Sequence, residues 1–376
     1  MYFIDGERIF INPENSCATM DEQLLNCLDQ LLKINSGKKV FKINFFVDAE
    51  SKSDYLKIQK EIKSQVKSKV HNDILLSVIA QPPLTRKIIA EVSFYDSRLW
   101  DASFLLNDNN GAVLFKNGDC QVLIGNVQSN TNDNCKINSE KAFSDLSEIF
   151  QKTEFHVGSI VRQWNYLEDI LGYDGPEQRY QEFNNARTIF YSDAFENNGY
   201  PAATGIGMNE GGVLIEFVAV QSEYCSSSAI NNPEQIAAHT YSDEVLVGEG
   251  CVLKTTPKFE RARYLELHGK KMVFISGTAS IVGENTVGVG DPEEQTEVTI
   301  NNIKQLYSEQ ILEKLSDEKI NPRYGHARVY VKNRKDFSVV KRTFKKHYGN
   351  LPVVYIIADI CREDLLVEIE GKVILE

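Results

Sequence analysis

The sequence predicts an α/β (α+β) protein made of two fused units, each a mixed sheet with two helices packed on one face. Three observations carry this expectation. The C-terminal third alternates strand-sized apolar runs with two stretches of helical periodicity. The middle of the chain repeats the same order. A polar, glycine-bearing segment separates the two copies.

In the C-terminal copy, residues 272–275 read as a buried strand entering the small-residue turn Ser276-Gly277-Thr278-Ala279-Ser280. Residues 293–315 have helical spacing, with Val298, Ile300, Ile303, Leu306, Ile311 and Leu315 as the apolar positions. Asp291 and Pro292 make the helix start, one as cap and one at the first helical position. Residues 327–331 follow as strand, 337–348 as helix, 353–357 as strand and 365–369 as the last strand. In the earlier copy, 120–125 takes the part of 272–277, 142–150 is helical, and 159–164 parallels 327–331. Residues 180–195 form the second helix, and 201–203 and 213–219 complete the pattern. Glu216 and Glu368 each follow two aliphatic residues at the same point of their unit. The expected division is an N-terminal unit over 1–221, a linker over 222–256 and a C-terminal catalytic unit over 257–376. The first ~118 residues are poorly assigned within that scheme. Only 52–69 stands out there, as a lysine-studded amphipathic helix with a solvated face.

Composition excludes several function classes. The chain has 376 residues, 42% apolar and 25% charged, enough for two domains. A net charge of −12 argues against general binding to nucleic acid or anionic membranes. No apolar run has membrane-spanning length, and the start, MYFIDGERIF, lacks the apolar stretch of a secretory signal. Seven scattered cysteines without CxxC spacing suggest neither a disulfide framework nor a zinc site, so a reducing cytoplasm is expected. Six histidines show no HxH or HExxH pattern, and no GxSxG elbow is present. Gly205-Ile206-Gly207 precedes a strand and lacks the third glycine of a dinucleotide loop. No metal and no cofactor are called for.

Particular motifs carry a family resemblance. PKFERARYL, FISGTASIVG, the helix through Asn301-Asn302-Ile303, RVYVK and CREDLLVEIE resemble the RidA (reactive intermediate deaminase) fold. VRQWNYLEDI, RYQEFNNAR and YPAATGIG resemble the chorismatases, two-unit relatives that cleave chorismate to pyruvate and a cyclic acid. The resemblance runs from about Phe155 to the C-terminus and implies a small dicarboxylate substrate, with a monomer or a trimer both compatible.

It also implies roles. Cleaving an enol ether requires a proton on its methylene carbon, which a carboxylic acid of raised pKa supplies. Glu368, inside the apolar run LLVEIE, is the implied acid. The competing reading has Glu368 and Glu370, which share parity, both facing solvent. A substrate with two carboxylates calls for arginines, which grip them bidentately. Arg162, Arg179, Arg187 and Arg328 are the motif-matched candidates, with Tyr180 and Gly205 as further substrate contacts. Arg187 and Arg328 are placed alike near predicted sheet ends, and each arginine could instead be an ordinary surface residue. Gly277 and Cys361 resemble the small residues that shape the pocket of the hydroxybenzoate-forming subtype, the 3-isomer being favoured. Their plainer readings are a turn glycine with positive φ and a buried core thiol. Glu284 and Gly288 depart from the family by standing where histidines often occur, which would make a neighbouring pocket more acidic. A RidA-type imine hydrolase would carry an arginine fifteen residues before the glutamate, where this chain has Val353. A ligand-binding protein that kept the fold without the activity is the third alternative.

Overall fold

A computed structural model describes residues 8–34, 37–131, 134–242, 255–315 and 320–376. The opening residues 1–7 and most of the second half of the expected linker, 243–254, lie outside the described residues.

The chain forms three units of one topology, where the sequence reading recognised the last two. The first holds β1 (Arg8–Ile11), α1 (Met20–Leu32), β2 (Lys39–Val47), α2 (Lys52–Lys69), β3 (Leu75–Ile79) and β4 (Ile88–Tyr95). The second opens with β5 (Asp101–Leu106) and β6 (Gly111–Asn117), then β7 (Cys120–Ser129), α3 (Cys135–Thr153) and β8 (Ile160–Glu168). A two-residue hairpin, β9 (Tyr173–Asp174) and β10 (Glu177–Gln178), leads to α4 (Arg179–Tyr191), β11 (Ala202–Met208) and β12 (Val213–Gln221). The third has β13 (Cys225–Ile230), β14 (Ala262–Leu267), β15 (Lys270–Ala279) and the small hairpin β16 (Ile281–Val282) and β17 (Asn285–Thr286). It continues through α5 (Pro292–Gln305), α6 (Glu309–Leu312), β18 (Pro322–Val331), α7 (Phe337–Tyr348), β19 (Val353–Ile357) and β20 (Val367–Leu375).

The sheet orders are β1-β4-β2-β3, β5-β6-β7-β12-β8-β11 and β13-β14-β15-β20-β18-β19. In each, a parallel pair joined by a helix (β2 with β3, β8 with β11, β18 with β19) lies beside an antiparallel final strand. Strands β4, β12 and β20 are therefore equivalent, and each carries a buried glutamate: Glu91, Glu216 and Glu370. The first unit escaped the sequence reading because none of the motifs that marked the other two occurs in it. Cys225–Ile230, within the expected linker, pairs with β14 as an edge strand.

Local signals act as expected at α5, where the Asp291 carboxylate accepts from the Glu293 and Glu294 amides and Pro292 stands at the first turn. The helix expected over 293–315 instead breaks after Gln305, and extended Ser308 starts a separate turn.

Each sheet is apolar on both faces. One face packs on its own helices, through Ile43 and Phe45 in the first unit, Leu123 and Phe217 in the second, and Val273 and Val329 in the third. The other faces meet in a shared core that includes Phe46, Trp164, Tyr166, Phe274 and Tyr330. An ion network crosses that core. Arg328 Nε and Nη2 donate to Glu91 at 2.7 Å each, and Arg8 adds a contact at 3.1 Å. These cations overcome burial and hold Glu91 at about 2. Glu370 receives Arg162 Nη2 at 2.5 Å, Trp164 Nε1 at 2.9 Å and Arg328 Nη1 at 3.1 Å. Glu216 receives Ser77 at 2.7 Å, Asn44 at 3.0 Å and Lys42 at 3.1 Å. Each carboxylate is thus satisfied by more than one unit, which locks the three together.

Candidate active site

A cleft opens between the second and third units and holds about 740 Å³ of space outside atoms, its mouth included. From the second unit come Tyr180, Gln181 and Asn184 on α4 and Ala203 and Gly205 on β11. From the third come Arg261 just before β14, Gly277 and Ala279 on β15, and Cys361, Arg362 and Glu368 around the start of β20. Tyr241 and Phe259 complete the wall.

Glu368 is 4% exposed, and its Oε1 is buried without any hydrogen-bond partner. Burial first, and the neighbouring Glu370 charge second, push its carboxyl up to about 8 against the pull of Arg162 and Arg261. It is therefore largely a neutral acid at pH 7. The competing solvent-facing reading fails, because Glu368 and Glu370 are both buried on the inner face of the sheet.

Gly277 makes room for this acid. A Cβ there would lie 2.1 Å from Glu368 Oε1, while its φ is not positive, so the need is for space and not for turn geometry. Gly205 does the same for Tyr180, whose ring would lie 3.0 Å from an added Cβ. Burial and the nearby Glu368 push the Cys361 thiol up to about 12, so it stays protonated and contributes volume, not nucleophilicity.

The arginines are arranged differently from the sequence expectation. Arg162 and Arg328 lie on equivalent strands, β8 and β18, with their guanidiniums committed to Glu370 and Glu91 in the shared core. Arg179 is tied to Asp174 at 3.0 Å and to the Glu168 carbonyl at 3.1 Å. Arg187 sits on a helix, unlike Arg328, and donates to Asn184 of the cleft wall at 2.6 Å, while its Nε is buried without a partner. None of the four lines the cleft. Arg261 and Arg362 do. Both guanidiniums lie beside the Tyr241 ring, 5.5 and 5.3 Å from its centre. Arg261 donates to the Tyr241 hydroxyl and to the Ile236 carbonyl, while its Nε is buried without a partner. Arg362 donates to the Glu284 carbonyl at 2.7 Å. Arg261 and Arg362 stand inside PKFERARYL and CREDLLVEIE, so their signal was present among residues that marked the fold.

Glu284, the departure from the family, does not line the cleft. Its carboxylate takes the Ser242 amide at 3.0 Å and hydroxyl at 2.8 Å. Gly288 has φ +70°, and a Cβ there would meet Glu294. Among the described residues no cluster of three or more His, Cys, Asp or Glu is placed to hold a metal, and no helix is long and apolar enough to cross a membrane.

Comparison with known proteins points one way. A family model described as chorismatase FkbO/Hyg5-like, N-terminal, matches residues 99–219. A 3-hydroxybenzoate synthase of Streptomyces hygroscopicus is 32% identical over 245 residues, covering 62% of this chain and 68% of that protein. A chorismatase of Streptomyces rapamycinicus is 34% identical over 230 residues, covering 57% of this chain and 64% of its own. A chorismatase crystal structure shares the fold with a TM-score of 0.70 at 22% identity, over 98% of both chains. That last likeness extends over all three units, beyond the span of the family model.

Proposed function

This chain belongs to the chorismatase family, and we propose that it cleaves chorismate to pyruvate and 3-hydroxybenzoate, with Glu368 as the acid. The observation that carries the reading is Glu368 itself: a buried, unpaired carboxyl, pushed up to about 8, facing a cleft that two arginines enter.

The neutral carboxyl donates its proton to the terminal methylene of the enolpyruvyl ether. The resulting oxocarbenium ion faces the carboxylate so formed, which stabilises it electrostatically in a poorly hydrated site. Arg261 and Arg362 take the substrate's carboxylates, supplying locally the positive charge that the chain as a whole lacks. Tyr241 between them holds the two guanidiniums in place. Breaking the bond between ring and ether oxygen releases pyruvate. As it leaves, the neighbouring C4 hydroxyl oxygen closes onto C3 and returns its proton to Glu368. The three-membered ring so formed opens at C4 with migration of hydrogen, so that aromatisation leaves the hydroxyl at C3. The atoms of chorismate equal those of pyruvate plus hydroxybenzoate, so this route consumes no water. A cleft that keeps its acid 4% exposed suits it better than the hydrolytic route to a dihydroxycyclohexadiene acid. The small residues Gly277 and Cys361, and the 32% identity to a 3-hydroxybenzoate synthase, support the 3-isomer.

The test incubates purified protein with chorismate and follows pyruvate enzymatically and the aromatic product by chromatography against hydroxybenzoate standards. Equal amounts of pyruvate and 3-hydroxybenzoate are expected. Pyruvate accompanied only by the non-aromatic diene acid would refute the product assignment, and absence of pyruvate would refute the reaction.

A further inference from the structure

Thr204, in the middle of β11, belongs to the second unit and touches both the ion network and the acid site. Its hydroxyl accepts from Arg162 Nη2 at 2.6 Å and from the Gly277 amide at 3.0 Å, and it donates to Glu370 Oε2. All three hydrogen-bonding positions of one hydroxyl are thus used in a buried place. The Gly277 amide lies where β15 loses register with β20, between Ile275 and Thr278. A bulge of this kind sets locally where the chain runs. Two ties from β11 hold it: the one from Thr204, and the Ala203 amide donating to Ser276 Oγ at 2.9 Å, with Ser276 in turn donating to the Glu260 carbonyl at 2.6 Å. The bulge matters because Glu368 Oε1 rests against Gly277, in the space a side chain would fill.

We infer that Thr204 is a positioning residue, its hydroxyl tying the Gly277 backbone to the Glu370 anchor and so setting where the Glu368 carboxyl lies. The tie crosses from one unit to the next, so the ion network and the acid are one mechanical assembly. The inference rests on the reading of Glu368 as the acid.

The charged and titratable groups around that carboxyl come from several elements: Glu370 on its own strand, Arg162 from β8, Arg261 ahead of β14, Cys361 ahead of β20, Tyr180 from α4 and Tyr330 from β18. Removing the Thr204 hydroxyl removes none of them. What changes is the depth at which the carboxyl is held. A freed carboxyl reaches water, desolvation weakens, and its titration moves down toward the ordinary carboxylate range.

Thr204→Val keeps the shape and removes the hydroxyl. Its expected signature is a kcat lower by roughly 10- to 100-fold, as for a reacting group displaced by about 1 Å. KM should stay within about threefold, because Arg261 and Arg362 are untouched, and the alkaline limb of the rate profile should move to lower pH. Thr204→Ser should stay close to wild type in all three. Wild-type kcat with an unmoved limb in Thr204→Val overturns the inference. So does a loss of kcat with an unmoved limb, or a Thr204→Ser variant as impaired as the valine. If Thr204→Val does not fold, Ser276→Ala removes the parallel tie and must show the same acidward limb; a wild-type limb there overturns it equally. Glu368→Gln separates the two levels. Full turnover in that variant ends the acid reading, whereas an inactive Glu368→Gln beside a wild-type-like Thr204→Val ends only the positioning role.

Discussion

Glu368 and Glu216 lie on the final strands of adjacent units, Glu368 two places before Glu370, which is the structural counterpart of Glu216, and the two carboxyls lead opposite lives. Glu216 is surrounded by Lys42, Asn44 and Ser77 from the first unit, with Tyr166 at 3.5 Å from its own. Glu368 faces a cleft and has one oxygen with no partner at all. Depth does not separate them, since both are almost fully buried. The number of donors does. A buried carboxylate given a cation and hydrogen bonds serves as structural cement, while one denied them is pushed up and becomes a proton donor. In a repeated fold the difference between cement and acid is therefore decided by what the neighbouring unit presents.

The largest effect that tests this contrast is on turnover. Glu368→Gln should lower kcat for pyruvate release by about 10²–10⁴-fold, the usual worth of general acid catalysis, while circular dichroism shows an intact fold. Glu216→Gln should leave kcat within a few-fold of wild type. Comparable losses in the two variants would erase the distinction.

Next comes the division of labour among arginines. Arg328→Met leaves Glu91 and Glu370 short of a buried partner and should cost about 3–5 kcal/mol in denaturant unfolding, with KM for chorismate little changed in the folded fraction. Arg261→Met should do the reverse. A charged hydrogen bond to the substrate is worth about 1.5–3 kcal/mol, so KM should rise about ten-fold or more while stability holds. A KM effect from Arg328→Met would return that residue to the substrate site.

A third effect is the pH dependence of stability. Glu368 has a folded pKa raised from 4.5 to about 8. The folded state thus binds the proton more tightly than the unfolded state. The associated stability is fully present below about 4.5 and is lost as pH rises through about 8. Turnover that needs the neutral acid should fall across the upper part of the same window. Glutamine cannot ionise, so the melting temperature of Glu368→Gln should gain on wild type between pH 6 and 9, a difference readable by differential scanning calorimetry. A constant offset across that range would mean that Glu368 is not held neutral.

Much of this protein was legible in one dimension. Strand and helix periodicity, the Asp291-Pro292 helix start and the repeated order of elements are local features, and local features determine secondary structure and repetition. Matching Glu216 to Glu368 by their apolar runs misses by two residues, Glu370 being the structural counterpart. Residue parity told that Glu368 and Glu370 share a face of β20, and the apolar setting of LLVEIE marked Glu368 as the acid candidate. The tertiary structure alone decided which partners each group meets. Arg162 and Glu370 pair across 208 positions and Arg328 and Glu91 across 237, so nothing in either neighbourhood announced that these arginines face inward carboxylates instead of substrate. Arg261 and Arg362 looked like fold signature until two units closed a cleft around them. The first unit lay hidden for a related reason. Its strands bury both faces and need only apolar residues and a few network partners, such as Lys42, Asn44 and Glu91, whose meaning depends on the other two units. Secondary structure arises from forces between near neighbours in the chain, but the ionisation and reactivity of a buried side chain depend on groups that only folding brings within a few ångströms.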